Sequence, residues 1–191
     1  MSPYHHGNLR RAIIDAALTA TEEAGPSGWS LRELARRAGV SHTAPVHHFG
    51  DKTGVLTAVA AEGYRLFADA LEQTAGDFFE AGVAYVRFAE QNRGYFDVMF
   101  RPDLYRADDP AVTAARERAR GVLVTGARGL SPTPEQDRAV MLGVWSIVHG
   151  FASLWLSGAI TESTTGDAAT TARSVFQVML DQLLRNLPPS R

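Results

Sequence analysis

The stretch Trp29-Ser30-Leu31-Arg32-Glu33-Leu34-Ala35-Arg36-Arg37-Ala38-Gly39-Val40-Ser41-His42-Thr43-Ala44-Pro45-Val46-His47-His48-Phe49-Gly50-Asp51-Lys52 decides the fold of this chain. Ser30 and Glu33 have the spacing of a capping box, in which the serine side chain accepts a free N–H at Glu33 and Glu33 reaches back. Leu34, Ala35 and Ala38 form an inner face. Gly39 suits the left-handed position just past a helix end. Ser41 then caps a second short helix, which runs to Phe49 and is closed by Gly50. Asp51 caps a longer one. Ala35 is small and lies one helical turn before Gly39, so the two short helices can approach closely. This is the spacing of a helix-turn-helix, whose second helix enters the DNA major groove by its N-terminal residues. That helix bears His42, Thr43, His47 and His48 on its outer side, although an ordinary packed helix pair has the same spacing. With Ser41 as cap, Pro45 lacks the N–H that would bond the Ser41 carbonyl, so a tight or irregular first turn is expected there.

Outward from this stretch the chain reads as helix throughout. Apolar residues recur at helical spacing, and Gly, Pro and Ser clusters punctuate them. A first helix spans about Asn8 to Ala24, with Leu9, Ile13, Ala16, Ala17 and Ala20 on one face. The helix after Asp51 carries Val55, Leu56, Val59, Phe67 and Leu71. Further helices follow over about Asp77–Gln91, Gly94–Phe100 and Pro110–Arg128, then an apolar one to Ser157, and a last one from Asp167 to Asn186. Thr161 to Gly166 reads as a polar loop, and Pro188-Pro189 as a stop. The fold class is all-α, with a three-helix DNA-binding module over residues 1–54 and a helical bundle for ligand binding and dimerisation over 55–191.

Composition narrows the function. Hydrophobic residues make up 45% of the 191 and charged residues 21%, which excludes a disordered chain. No cysteine is present, so disulfide scaffolds, thiolate metal sites and thiol nucleophiles are excluded. The net charge of −2 hides an asymmetry: residues 1–52 hold six Lys/Arg against five Asp/Glu and five of the six histidines, and the rest is acidic. No secretory leader is read at the start. The apolar stretch Ala139–Ile160 contains His149, glycines and serines and is expected to be a buried helix rather than a membrane span. A cytoplasmic protein is therefore expected. Neighbouring histidines on a helix point about 100° apart, so the pairs His5-His6 and His47-His48 do not form a metal face. Gly121 to Arg128 has the glycine spacing of a phosphate loop but no Lys-Ser/Thr follows, and it is rejected. No nucleophile–base pair or cofactor motif is visible, so neither an enzyme nor a cofactor is expected.

The stretch from Leu9 to Leu56 strongly resembles the tetracycline-repressor-like (TetR) family of bacterial transcription regulators. Its ordered core is Ala35, Gly39-Val40-Ser41, Phe49, Lys52 and Leu56. Trp145-Ser146-Ile147-Val148-His149-Gly150 and the opening Tyr4-His5-His6-Gly7-Asn8-Leu9-Arg10 are similar to one subgroup. The resemblance implies that Arg32 reaches a base or phosphate, that Ser41, His42, Thr43, Ala44 and His47 face the groove, and that His48 and Lys52 contact phosphates. It also implies that Phe49 is core. Many members have a tyrosine two residues after Ala44 whose hydroxyl reaches a phosphate; Val46 stands there and cannot donate. Of Arg36-Arg37, a solvated face with one phosphate contact is expected.

The second half is aromatic, and most of its rings are expected in the core. Ligand cavities in bundles use the same residue types. The candidates for an effector pocket are Phe67, Phe88, Tyr95, Phe96, Met99, Phe100, Trp145 and His149. Gly143, Gly150 and Gly158 recur on the apolar helix, and each interior glycine costs about 1 kcal/mol relative to alanine. Close helix approach would offset that. With the Val175, Met179, Leu183, Leu187 stripe of the last helix, it suggests a four-helix homodimer interface. The sequence thus reads as a ligand-responsive repressor that binds a palindromic double-stranded DNA operator as a homodimer, with an unidentified small-molecule effector and no membrane. The alternative is a helical ligand- or protein-binding module whose DNA binding is lost or needs a co-ligand.

Overall fold

The computed structural model describes residues 6–160 and 166–186. The opening Tyr4-His5, most of the Thr161–Gly166 loop and Pro188-Pro189 lie outside them, as do the side chains of Leu183 and Leu187. The described residues form nine α-helices, one 3-10 turn over Pro134–Gln136 and no strand. The helices are α1 His6–Ala24, α2 Leu31–Arg37, α3 Ala44–Phe49, α4 Lys52–Glu72, α5 Phe78–Gln91, α6 Arg93–Met99, α7 Pro110–Leu130, α8 Asp137–Leu156 and α9 Ala168–Asn186. Starts are set by local chemistry: Asp51, Asp77 and Asp167 accept the N–H groups of Gly54, Glu80 and Thr170 at 2.6, 3.0 and 2.8 Å.

The chain divides into two compact units. The first comprises α1 to α3, α4 as far as Ala68, α6 and α7 as far as Arg118. Its core is Ile13, Ile14, Ala17 and Ala20 of α1, Leu34 and Ala35 of α2, Val55 and Val59 of α4, and Val98 and Met99 of α6. Each large aliphatic side chain buried there contributes about 1.5–3 kcal/mol. α6 is fastened to α1 by polar contacts. Glu22 Oε1 accepts the Gly94 N–H at 3.1 Å, satisfying a donor at the start of α6. Arg11 donates to Glu62 at 2.6 Å and to the Tyr95 hydroxyl at 3.2 Å, and pairs with Asp15. Gly94 permits the approach, since a Cβ there would lie 3.0 Å from the Leu18 carbonyl oxygen. The last carbonyl of α6, Met99, accepts the Tyr64 and Tyr105 hydroxyls, each at 2.8 Å.

The second unit comprises the end of α4, α5, the rest of α7, α8 and α9. α5 is its centre: Val83, Val86, Phe88 and Ala89 are buried, and the helix packs on both α8 and α9. Phe151 of α8 meets Phe176 of α9 edge-on at 5.7 Å. Glu90 accepts from the Trp155 indole N–H at 3.1 Å and from the Ala168 N–H at 3.3 Å, joining the end of α8 to the start of α9.

α8 differs from the expectation of a buried helix. Leu142, Trp145, Ile147 and Leu154 are exposed, and only 17% of its most apolar window is buried. By length and composition the segment Pro134–Leu156 passes as a membrane span. The burial expected from its hydropathy is missing because α5 and α9 cover one face, and no element among the described residues covers the other. Gly158 is a further correction. It lies outside the helix, at φ +72°, where it ends α8 while the Ala159 N–H bonds the Leu154 carbonyl.

Candidate nucleic-acid interface

α2 begins as its sequence requires, with Ser30 Oγ accepting the Glu33 N–H at 3.3 Å. The second half of the capping box does not form. Glu33 turns to Arg37, accepting from its Nε at 2.9 Å and Nη2 at 2.7 Å, while Glu23 accepts from Arg37 Nη1 at 2.7 Å. Those bonds, to Glu23 first and then Glu33, raise the pKa of the Arg37 guanidinium and hold it charged. The turn closes by the expected glycine: Gly39 has φ +65°, its N–H bonds Arg36 at 3.3 Å, and the Val40 N–H bonds Ala35 at 3.0 Å.

α3 begins at Ala44, two residues later than read from the sequence. Ser41 makes no side-chain cap; its hydroxyl pairs with that of Thr43 at 3.0 Å, and the Ala44 N–H bonds the Ser41 carbonyl at 3.0 Å in a tight turn. Proline explains the shift. With Thr43 as N-cap, Pro45 stands in the first turn, where its missing N–H has no intrahelical partner to lose.

Arg32, Ser41, His42, Thr43 and His47 are exposed around this turn. Ala44, placed in the groove by the resemblance, is buried at 8% exposure under the helix it opens. His48 is half-buried, its ring edge-on to His47 at 5.3 Å. Phe49 is half-buried rather than core, with the Arg10 guanidinium 5.3 Å from its ring centroid. Lys52 is turned onto the protein: Nζ donates to the carbonyls of Ser27 at 3.1 Å and Trp29 at 2.7 Å, and burial lowers its pKa. Val46 is 52% exposed on α3.

Arg32 and Arg36 are one helical turn apart on α2, exposed, and without a protein partner among the described residues. With Ser30, Glu33, Ala35, Val40 and His42 they line an open concavity of about 480 Å³ beside the turn. The sequence leaves open which of Arg36 and Arg37 makes the one phosphate contact expected of the pair. The pairing of Arg37 with Glu23 and Glu33 separates the two adjacent arginines and leaves Arg36 as the candidate.

The aromatic candidates fall in both units. Phe67, Tyr95, Phe96, Met99 and Phe100 belong to the first. There Phe100 meets Phe96 at 4.9 Å and Phe67 at 6.4 Å, and all but Phe100 are buried. Phe88, Trp145 and His149 belong to the second. His149 Nδ1 shares a hydrogen bond of 2.8 Å with the Tyr85 hydroxyl, and Trp145 lies edge-on to the imidazole at 6.3 Å. Burial raises the Tyr85 pKa and lowers that of His149.

A capped helix pair across a left-handed glycine, with two exposed arginines on the first helix and a polar turn opening the second, defines a helix-turn-helix DNA-binding protein. Comparison with known proteins agrees. Residues 13–59 match the bacterial regulatory proteins of the tetR family, and residues 78–183 match the tetracyclin repressor-like C-terminal domain. The chain belongs to the tetR family, and it is a DNA-binding transcriptional regulator. It is 29% identical over 169 residues to the HTH-type transcriptional regulator BetI of Escherichia coli (strain K12 / DH10B), covering 80% of this chain and 83% of that protein. A protein of unknown function from Rhodococcus sp. RHA1 superimposes with a TM-score of 0.76 at 29% identity, over 98% of this chain and 99% of that one. The TetR family transcriptional regulator PfmR of Thermus thermophilus shares the fold, with a TM-score of 0.65 at 24% identity over 92% of this chain and 98% of that one.

Proposed function

We propose that this chain is a ligand-responsive repressor that binds a palindromic operator as a homodimer in the cytoplasm and has no catalytic activity of its own. The observation that carries the reading is the exposed surface of Arg32, Arg36, Ser41, His42, Thr43 and His47 at one helix-turn-helix. Direct contacts fall to these residues, with His48 at the edge. Lys52 has one donor beyond its two carbonyl contacts to offer a phosphate. The functional division falls after residue 54, residues 55–191 serving dimerisation and effector binding.

The uncovered apolar face of α8 and α9 supports the homodimer over a membrane. Gly143 and Gly150 lie on α8, and a Cβ at either would meet nothing, so a second helix can come close. Two copies would place their recognition helices about 34–36 Å apart, or a multiple of that, to read two half-sites. For the effector, the hydrogen-bonded pair of buried Tyr85 and half-buried His149 is the polar element among apolar side chains that fixes the orientation of a small amphipathic molecule. The packed rings of Phe67, Phe96 and Phe100 serve the core.

Selection of bound duplexes from a random DNA pool by the purified protein tests this. Enrichment of an inverted repeat supports a dimeric operator-binding protein. No enrichment at low salt supports the alternative, a helical module whose DNA binding needs a co-ligand or is lost.

A further inference from the structure

Arg106 lies between α6 and α7, far in sequence from the helix-turn-helix, yet it is bound to it. Its Nη2 donates to Asp51 Oδ2 at 2.8 Å and Oδ1 at 3.1 Å. Its backbone N–H donates to Thr57 Oγ1 at 3.1 Å. Asp51 Oδ1 also accepts the Gly54 N–H at 2.6 Å and so caps α4. The carboxylate stands two residues past the end of α3 and is exposed. A bare negative charge there would repel the phosphates that α3 must approach. The cap requires an acceptor at this position, but it does not require a charge, because asparagine caps as well as aspartate.

We propose that Arg106 belongs to the DNA-binding apparatus as a residue that acts through Asp51: it neutralises the cap carboxylate beside the recognition helix and does not touch DNA itself. The Thr57 contact uses the backbone, so the segment stays in place when the side chain is removed. The inference rests on α3 being the helix that meets DNA, and binding by the wild-type protein tests that reading separately.

The experiment measures the affinity of the full chain for the duplex that the wild type enriches from a random pool, by fluorescence anisotropy over a salt series. The proteins are wild type, Arg106→Ala, Arg106→Lys, Asp51→Asn and the Arg106→Ala/Asp51→Asn double variant. Arg106→Ala is expected to raise Kd about tenfold, the scale of one uncompensated surface charge near phosphates. Arg106→Lys is expected to recover most of the loss. The double variant is expected to bind within about twofold of Asp51→Asn, with the same salt slope. An exposed pair contributes little to folding, so all variants should melt near the wild type; Arg106→Gln replaces alanine if that variant melts early. Two results overturn the proposal. One is wild-type affinity in Arg106→Ala. The other is an equal loss in the Asp51→Asn background with the salt slope reduced by about 0.9, which marks a direct phosphate contact.

Discussion

The ammonium of Lys52 donates to the Trp29 carbonyl at 2.7 Å while lying 4.2 Å from the centroid of the Trp29 ring. Together with the bond to Ser27, this ties the first residue of α4 to the segment between α1 and α2. Trp29 is itself fixed, its indole N–H donating to buried Thr21 at 3.0 Å. Lys52→Met keeps the stem and removes the donors. It is expected to lower unfolding free energy by about 1–2 kcal/mol, read from the urea midpoint at constant slope. An unchanged midpoint would show that the contact contributes nothing to folding.

Arg36 and Arg37 are neighbours with different electrostatic roles. Arg37 is engaged by two carboxylates, whereas Arg36 faces the concavity beside Arg32 and His42. Arg36→Ala is therefore expected to weaken DNA binding and to reduce the slope of log K against log salt by about 0.9. Arg37→Ala should leave that slope unchanged. Equal slopes for all three proteins would remove Arg36 from the interface.

Val46 offers a gain-of-function test. It is exposed on α3 at a position where many family members carry a phosphate-binding tyrosine. Val46→Tyr adds one hydroxyl donor and covers no buried group. It is expected to tighten binding about three- to tenfold, on the scale of one added hydrogen bond to a charged acceptor. Unaltered affinity would place this position outside phosphate reach.

These outcomes depend on features that are unequally legible in the sequence. The helix order, the glycine at the α2–α3 turn and the caps at Ser30 and Asp51 are legible, because caps and left-handed glycines are decided within a few residues. The start of α3 falls two residues later than its sequence reads, since two rules compete there: a serine can cap, but proline is better placed in the first turn. The ends of long side chains are not legible. Glu33 turns to Arg37, Lys52 turns to Trp29, and Arg106 reaches Asp51, each by a choice among partners that only the folded chain brings together. The exposure of α8 is hidden for a different reason. An apolar helix reads the same whether it is covered by its own chain or by another molecule.

Burial lowers the pKa of His149, whose imidazole shares a hydrogen bond with Tyr85. The unfolded chain therefore takes up a proton near the ordinary histidine value of about 6.5 that the folded chain takes up only at lower pH. Stability from this site is present above about pH 6.5 and is lost as pH falls below it. The urea midpoint of the wild type is expected to drop between about pH 7 and pH 5, and that of His149→Gln to drop less. Parallel curves would show that His149 does not carry the pH dependence.

The exposed face of α8 and α9 predicts a monomeric variant. Leu154 is 51% exposed and Val178 is 62% exposed, so a charge at either position meets water in the isolated chain and costs its folding little. In a dimer built on this face the same charge would be buried unpaired, which is strongly unfavourable. Leu154→Glu and Val178→Glu are each expected to shift the mass measured by light scattering from two chains to one while the helical circular dichroism is retained. A monomer cannot hold two half-sites at once, so its affinity for an inverted repeat should fall about a hundredfold or more while binding to a single half-site persists. If both variants remain dimeric, the interface lies elsewhere and the apolar face needs another occupant. If they become monomeric and still bind the full repeat as tightly, dimerisation and operator recognition are separate properties of the chain.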